Sequence, residues 1–385
     1  MKLICDEVDR LKPERLVLDS LSEIRLMSEV STRYRRQILG LKHFFAERGT
    51  TVLLIDNTDD DTSDHQMKSV AHGVIALEQV RNKFGAERRR LRVVKLRGIK
   101  YRGGEHDYVI EKGGIVVFPR LVAAEHLERF EAGRVSSGIA GLDSILGGGL
   151  ARGTSTLFIG PVGSNKTTIA SQFAAVAAGR GEAVSYYTFD ETTRSVIDRA
   201  GQVGIGMQKH VQAGNLSVVQ IDPAELTPGE MASKIRESVD AGTRMVILDS
   251  LNGYLNAMPE ERFLVMQLHE LLTYLSHRGV VTILVLAQHG MLHNMETPAD
   301  VTYLADAVVM LRYFEAAGEV KKAISVVKKR GGAHETTIRE LAVRDNRLVI
   351  GGPLKEFQGV LTGVPSFTGP AHSILARNDD ERSHS

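Results

Sequence analysis

The sequence predicts an α/β fold: a mostly parallel, twisted sheet flanked by helices, present as a tandem repeat whose first copy is truncated. Three observations lead there. Residues 155–159, STLFI, are β-branched and apolar, run into the loop GPVGSNKTT at 160–168, and are followed by the Ala-rich helical stretch TTIASQFAAVAAG at 167–179. Further apolar runs finish on polar residues, as buried parallel strands ending at a polar site do: AVSYYTFDE at 183–191 and MVILDS at 245–250. The pattern also recurs, since RLVLDSLS at 15–22 answers MVILDSLN at 245–252 and Asp19 and Asp249 lie 230 positions apart.

The same offset carries Arg48-Gly49 and the run TTVLLID onto Arg278-Gly279 and VVTILVLA, and KLRG at 95–98 answers KKRG at 328–331 at an offset of 233. A period this long means tandem domains rather than a solenoid, because each unit is large enough to own a core. The copies are unequal: the first has only eighteen residues ahead of Asp19, so it lacks the loop of 160–168, the strand before it and the helix after it. Between the copies, HLERFEAG reads as a charged, helix-like stretch and then gives way to a Gly/Ser-rich run containing Gly147, Gly148 and Gly149. The expected organisation is a partial domain over 1–122, a linker over 123–133, a complete domain over 134–368 and a disordered tail over 369–385.

Composition narrows the function classes. Lys and Arg (48) nearly cancel Asp and Glu (47), so no whole-molecule field draws the chain to nucleic acid or acidic lipid. Hydrophobic residues make up 43%, ample for buried cores. The single cysteine, Cys5, excludes an intrachain disulfide framework and a thiolate-cluster metal site. No run approaches eighteen apolar residues and MKLICDEVDR is no signal peptide, which points to the cytoplasm and to no membrane partner.

The loop at 160–168 follows the phosphate-binding pattern G-x-x-x-x-G-K-[ST] with Asn165 in place of the second glycine. Strand, loop and helix come in the order that lets backbone N–H groups and a helix N-terminus face anionic phosphates. Gly160, Gly163, Ser164, Asn165, Lys166, Thr167 and Thr168 are therefore the candidate nucleotide-binding residues, with Lys166 reaching the β- and γ-phosphates and the Thr167 hydroxyl ligating Mg²⁺. Asn165 weakens the match without cancelling it, because asparagine is the commonest non-glycine residue in left-handed backbone. Asp249, closing its strand, is the second candidate Mg²⁺ ligand; alone, such an aspartate is more often a helix N-cap. Asp190 and Glu191 are candidate catalytic carboxylates, able to take a proton from an attacking water or hydroxyl, or else a solvated acidic pair at a helix start. Lys328 and Arg330 could be plain surface charge or, set against the γ-phosphate of a neighbouring subunit, neutralise transition-state charge.

Taken together, RVSSGIAGLDSILGGGLARGTSTLFIGPVGSNKTT, the FDE strand end, VILDSL and KKRGG resemble the KaiC family, tandem RecA-like P-loop ATPases. The resemblance covers residues 134 to about 365 as one nearly whole domain and 1 to about 122 as the C-terminal part of a preceding one, which makes the chain N-terminally incomplete relative to the family. It implies ATP and Mg²⁺ bound between subunits of a homo-hexamer, signalling protein partners, and Lys328 and Arg330 reaching the neighbour's nucleotide. It also implies autophosphorylation at a hydroxyl pair ahead of an aspartate. Counting back from Asp306 in DVTYLADAVVML assigns that pair to Thr302 and Tyr303, so a serine/threonine autokinase would act on Thr302 with the second position altered. Two further departures are Asn165 in the loop and Asp190 for the first of two glutamates, while Asp19, Lys95 and Arg97 recur in a copy that has no loop.

Two other classes compete. A RecA-like DNA recombination or repair ATPase would want basic and aromatic loop residues, whereas AQHGMLHNMETPAD at 287–300 has neither Lys nor Arg; DNA is thus disfavoured as a partner. AERRRLRVVK at 86–95 reads as a solvated turn before an edge strand, and His289 and His293, though spaced i and i+4, have no third metal ligand nearby. A nucleotide-binding scaffold without turnover must explain why so many separate catalytic parts are present. The incomplete first copy carries its own test: residues 1–125 expressed alone should give no cooperative thermal transition by circular dichroism, and a sharp melt at ordinary temperature would overturn that expectation.

Overall fold

The computed structural model describes residues 2–26, 31–57, 65–81, 85–257, 264–288, 301–316, 318–361 and 365–369. The chain forms two compact units, Met1–Leu77 with Leu91–Glu105, and Glu78–Arg90 with His106–Ser385. The tail from 370, and with it the disorder expected there, lies outside the described residues, as do His289 and His293.

In the first unit the elements are α1 (Lys2–Leu11), β1 (Arg15–Asp19), α2 (Leu21–Leu26), α3 (Ser31–Glu47), β2 (Thr51–Ile55) and α4 (His65–Val70). β1 and β2 pair in parallel with Asp19 opposite Ile55. Val8, Leu21, Tyr34, Ile38, Leu41, Phe45 and Val70 form a small core against these strands. The chain continues through β3 (Gly73–Val80), β4 (Arg88–Leu96), β5 (Glu105–Glu111) and β6 (Gly114–Phe118), a four-stranded sheet in that order. The basic stretch at 86–95 is therefore mostly strand, and β4 is flanked on both sides rather than being an edge. Arg88 is buried and donates to Pro223 O at 3.0 Å, so its charge is not solvated as the sequence suggests.

The stretch after β6 is not the charged helix expected there. A single 3-10 turn covers Ala123–His126, and the chain then runs extended. The reason is tertiary: Phe130 lies against Gly153 and Gly279, where a Cβ would sit 2.6 and 2.4 Å from its ring, and Glu128 pairs with Arg278. An extended segment keeps all of these contacts in reach.

The second unit holds the large sheet. After β7 (Arg134–Val135), α5 (Ala140–Ile145) and β8 (Leu150–Ala151) come β9 (Ser155–Pro161), α6 (Lys166–Gly179), β10 (Ala183–Thr188), α7 (Thr193–Gln202), α8 (Met207–Gln212) and β11 (Leu216–Gln220). There follow α9 (Pro228–Asp240), β12 (Thr243–Asp249), α10 (Leu251–Ala257), α11 (Leu264–His277), β13 (Val281–Gln288), β14 (Ala307–Ala316), β15 (Glu319–Lys329), β16 (Arg339–Arg344) and β17 (Arg347–Pro353). The nine strands lie in the order β11-β10-β12-β13-β9-β14-β15-β16-β17, parallel from β11 to β14 and antiparallel beyond.

Strand alternation divides the core cleanly. Phe158, Tyr186, Met245, Ile247, Ile283 and Val285 pack with the helices α5 to α8 on one face. Leu157, Ile159, Tyr187, Val246, Leu248, Leu284 and Leu286 pack with α9 to α11 on the other. A strand buried on both faces must be apolar throughout, which is why these runs read as continuous rather than alternating. α6 lies close on the sheet because its inner positions are mostly small: Ala170, Ala174 and Ala177 are fully buried beside Phe173. Local capping fixes two helix starts: Thr192 Oγ accepts from Ser195 N at 3.2 Å in α7, and Thr227 Oγ accepts from Glu230 N at 3.1 Å in α9.

The succession α1-β1-α2-α3-β2, then β3 to β6, parallels α9-β12-α10-α11-β13, then β14 to β17. In the second series β9 joins β13 to β14; β1–β2 and β3–β6 are separate sheets. No helix among the described residues is long and apolar enough to cross a membrane.

Candidate functional site

β9 delivers its loop to the C-terminal edge of the parallel sheet, where the connection turns into α6, and this edge is where ligands of open α/β sheets bind. Gly160 lies against β14, where a Cβ would meet Leu311 O at 2.4 Å. Gly163 has φ +78°. Asn165 has φ 75° and ψ 19°, the left-handed conformation that its sequence position calls for, and it makes no side-chain cap to the helix it precedes. Its amide oxygen is instead taken by the Lys322 ammonium from β15. Tyr313 on β14 donates to Val162 O at 3.0 Å. The loop is thus hydrogen-bonded to β14 and β15 and packed closely on β14 at Gly160.

Ser164 is buried and donates to Pro161 O at 2.8 Å. Lys166, also buried, donates through its ammonium to Gly160 O at 2.9 Å and Pro161 O at 2.7 Å. Burial lowers its pKa to about 8, and the Asp249 carboxylate opposes that shift. Thr168 is buried behind it.

At the second residue of α6, the Thr167 hydroxyl donates to Asp249 Oδ1 at 3.2 Å, bringing together the two residues singled out as metal ligands. Asp249 is buried at the end of β12, and its other oxygen accepts from the Tyr186 hydroxyl. Desolvation raises the pKa of this carboxylate, against the hydrogen bonds of Tyr186 and Thr167; the Tyr186 hydroxyl is itself pushed well up by burial and by Asp249. Among the described residues no three His, Cys, Asp or Glu gather to hold a metal. The oxygen pair Thr167–Asp249 fits Mg²⁺, which takes few protein ligands and completes its shell from phosphate and water.

β10 ends at Thr188, and the carboxylates lie in the bend beyond it. Asp190 accepts from Ser250 Oγ at 2.5 Å, and Gly253 leaves room for it, since a Cβ there would come within 2.5 Å of Asp190 Oδ1. Glu191 is turned toward α7: Arg199 Nη1 lies 2.6 and 2.7 Å from its two oxygens, and Ser195 Oγ donates to it at 3.3 Å. Tyr186, Arg199, Ser250 and Lys322 are neighbours of the candidate site residues that sequence reasoning missed. Arg199 was legible in principle, eight residues past Glu191 and one face round a short helix. Lys322, 157 positions from Asn165, had no local signal at all.

Lys328 and Arg330 are not gathered with the loop. The register places Lys328 opposite Val308, which pairs with Leu157, toward the start of β9 rather than its end. Lys328 Nζ donates to Thr302 O at 2.9 Å and Ala305 O at 2.8 Å, and Arg330 Nη2 to Tyr303 O at 2.9 Å. Thr302 and Lys328 line one cleft of about 280 Å³ with Ile159, Gln288 and Met310, while Tyr303 is half exposed. Near β3 the arrangement repeats: Lys95 Nζ donates to Lys68 O at 2.6 Å and Ser69 O at 3.3 Å, and Arg97 Nη2 to Ser69 O at 2.9 Å. Ser69 and Tyr303 each stand four residues before their strand.

The family described as "ATPase: KaiC" matches residues 1–122 and 135–355. The chain is 26% identical over 367 residues to the circadian clock oscillator protein KaiC of Acaryochloris marina, covering 93% of this chain and 69% of that one. It is 26% identical to the circadian clock protein KaiC3 of Synechocystis sp. over 94% of this chain and 72% of the relative. The KaiC of Synechococcus elongatus is 25% identical over 96% and 72% respectively.

The left-handed backbone at 165 sets a specific expectation. Asn165→Ala places a Cβ there without the amide that Lys322 holds, and should lower stability by about 1–2 kcal/mol. Asn165→Gly loses the amide but relieves the backbone, and should stay within about 0.5 kcal/mol of wild type. Urea denaturation of both variants checks the order.

Proposed function

The chain belongs to the KaiC ATPase family, and from that premise we propose that it is an ATP-binding, ATP-hydrolysing signalling protein with serine/threonine autokinase activity. One observation carries the reading: behind the Lys166 ammonium, the Thr167 hydroxyl and the Asp249 carboxylate converge at 3.2 Å from two elements 82 residues apart. Packing does not call for a hydroxyl, a buried carboxylate and a buried ammonium at one sheet edge, whereas a magnesium-bound triphosphate does.

In this reading Gly160 to Thr168 cradle the phosphates through backbone N–H groups and Lys166, and Thr167 with Asp249 would hold Mg²⁺, which would supply charge neutralisation to the phosphate chain. Glu191, with Asp190 beside it, accepts the proton of the attacking water; for self-phosphorylation it accepts that of the Thr302 hydroxyl, with Tyr303 as the altered second position. Lys328 and Arg330, held away from their own loop, act on the nucleotide of the neighbouring subunit in a homo-hexamer. Residues 134–368 are the complete RecA-like domain, joined by a linker at 123–133 to a partial one over 1–122. The separate sheets β1–β2 and β3–β6 support that partial assignment, since the joining strand of the second domain is the one that bears its phosphate loop. Signalling protein partners and a cytoplasmic setting complete the reading, and the relatives named as circadian clock proteins are in keeping with a signalling role.

The test is turnover by the full chain beside its variants. Wild type should release phosphate from ATP, Lys166→Ala should lose ATP binding by at least about tenfold, and Glu191→Gln should bind ATP while kcat falls about 10²–10⁴-fold. Label from γ-³²P-ATP should enter wild type and be lost in Thr302→Ala. ATP binding without hydrolysis or label in wild type would instead establish a scaffold.

A further inference from the structure

We propose that Arg199 is the positioning residue for Glu191, fixing the carboxylate that takes the proton in ATP hydrolysis; the inference rests on the functional reading above. Glu191 stands in a bend after β10, outside the ladder that orders the strand, so its side chain needs other restraints. Thr188 Oγ donates to Glu191 O at 3.0 Å, Thr192 caps the helix that begins next to it, and Ser195 and Arg199 both engage its carboxylate. Arg199 supplies the strongest of these contacts, with Nη1 at 2.6 and 2.7 Å from the two oxygens.

Three properties distinguish this pair from a surface ion pair. The side chains are only 38% and 34% exposed. Ser195 Oγ donates to the same carboxylate, so Glu191 is held from two positions on α7. Arg199 Nη2 is enclosed and makes no hydrogen bond. The guanidinium offsets the negative charge of Glu191, and its contacts to both oxygens hold that carboxylate in one rotamer. A carboxylate oxygen can accept more than one hydrogen bond, so both remain able to accept a proton from water while Arg199 holds them. No proton is taken from Arg199, which stays charged throughout.

The experiment compares the full-length chain with Arg199→Ala, Arg199→Lys, Glu191→Gln and the Arg199→Ala/Glu191→Gln double variant, measuring ATP turnover and binding of a fluorescent ATP analogue. Arg199→Ala should lower kcat about 10–100-fold, the effect expected of a supporting residue behind a reacting group, with binding within about twofold of wild type. Arg199→Lys should recover part of the loss, and millimolar guanidinium should partly rescue Arg199→Ala but not Arg199→Ala/Glu191→Gln. On the Glu191→Gln background, removal of Arg199 should cost little more. Unchanged or raised turnover in Arg199→Ala overturns the proposal, as does a loss equal in both backgrounds or one that guanidinium does not relieve. A variant that merely misfolds gains nothing from guanidinium. Absence of turnover in wild type overturns the functional reading itself, and active wild type with unaffected Arg199→Ala overturns the positioning role alone.

Discussion

Burial of one strand underlies the rest. β9 pairs on both sides, with Leu284 against Leu157 and Val309 against Phe158, and neither Leu157 nor Phe158 is exposed to solvent. Its backbone groups are spent in two ladders and its side chains in two cores, so the loop that leaves it starts from a fixed point. α6 is held just as firmly, because its alanines let the helix axis approach the sheet. A loop pinned at both ends presents its N–H groups in one arrangement, which is what recognition of a phosphate chain requires. The contrast with β1–β2 and β3–β6 is instructive: a similar succession of elements, with α4 between β2 and β3 and no strand joining the two sets among the described residues, makes two sheets where the other makes one.

Electrostatics at the sheet edge follow from that rigidity. Burial pushes Lys166 down and Asp249 up, each toward its neutral form; the Asp249 charge partly offsets the shift of Lys166, and the hydrogen bonds of Tyr186 and Thr167 partly offset that of Asp249. Such a pair is poorly satisfied by its own partners: the ammonium rests on two loop carbonyls, and the carboxylate on a tyrosine and a threonine hydroxyl. An anionic phosphate chain with its cation meets both needs at once. The carboxylates of the neighbouring bend are handled differently, Asp190 by a serine and Glu191 by a guanidinium, so two adjacent acids have distinct surroundings.

The cationic strand ends show how local chemistry is reproduced by topology. Lys95 and Arg97, and Lys328 and Arg330, each reach back over the backbone carbonyls that precede the partner strand, with Arg97 and Arg330 both at 2.9 Å from equivalent carbonyls. A Lys-x-Arg pair leaving a strand places both side chains on one face, and the incoming chain of the neighbouring strand supplies the acceptors. The geometry needs only the antiparallel pair, which explains why it recurs where no phosphate loop is present.

Much of this was readable from residues alone, because it is local. Strand–loop–helix order at 155–179, the apolar run ending at Asp249, the left-handed tolerance of Asn165 and the repeat at an offset of 230 are all properties of neighbouring side chains and of the chain's own period. Local reading failed where contacts from afar took over: the stretch after His126 carries helix-forming charges but is drawn out by Phe130 and Glu128, and the arginines of 88–90 enter a flanked strand instead of a solvated turn. Sequence alone therefore determined the strand–loop–helix order around 160–168 and the strand ends at which Asp190, Glu191 and Asp249 stand. Only the tertiary structure decided their company, setting Lys322 on Asn165, Tyr186 on Asp249 and Arg199 on Glu191, because strand order and helix orientation, not proximity along the chain, choose which side chains meet at a sheet edge.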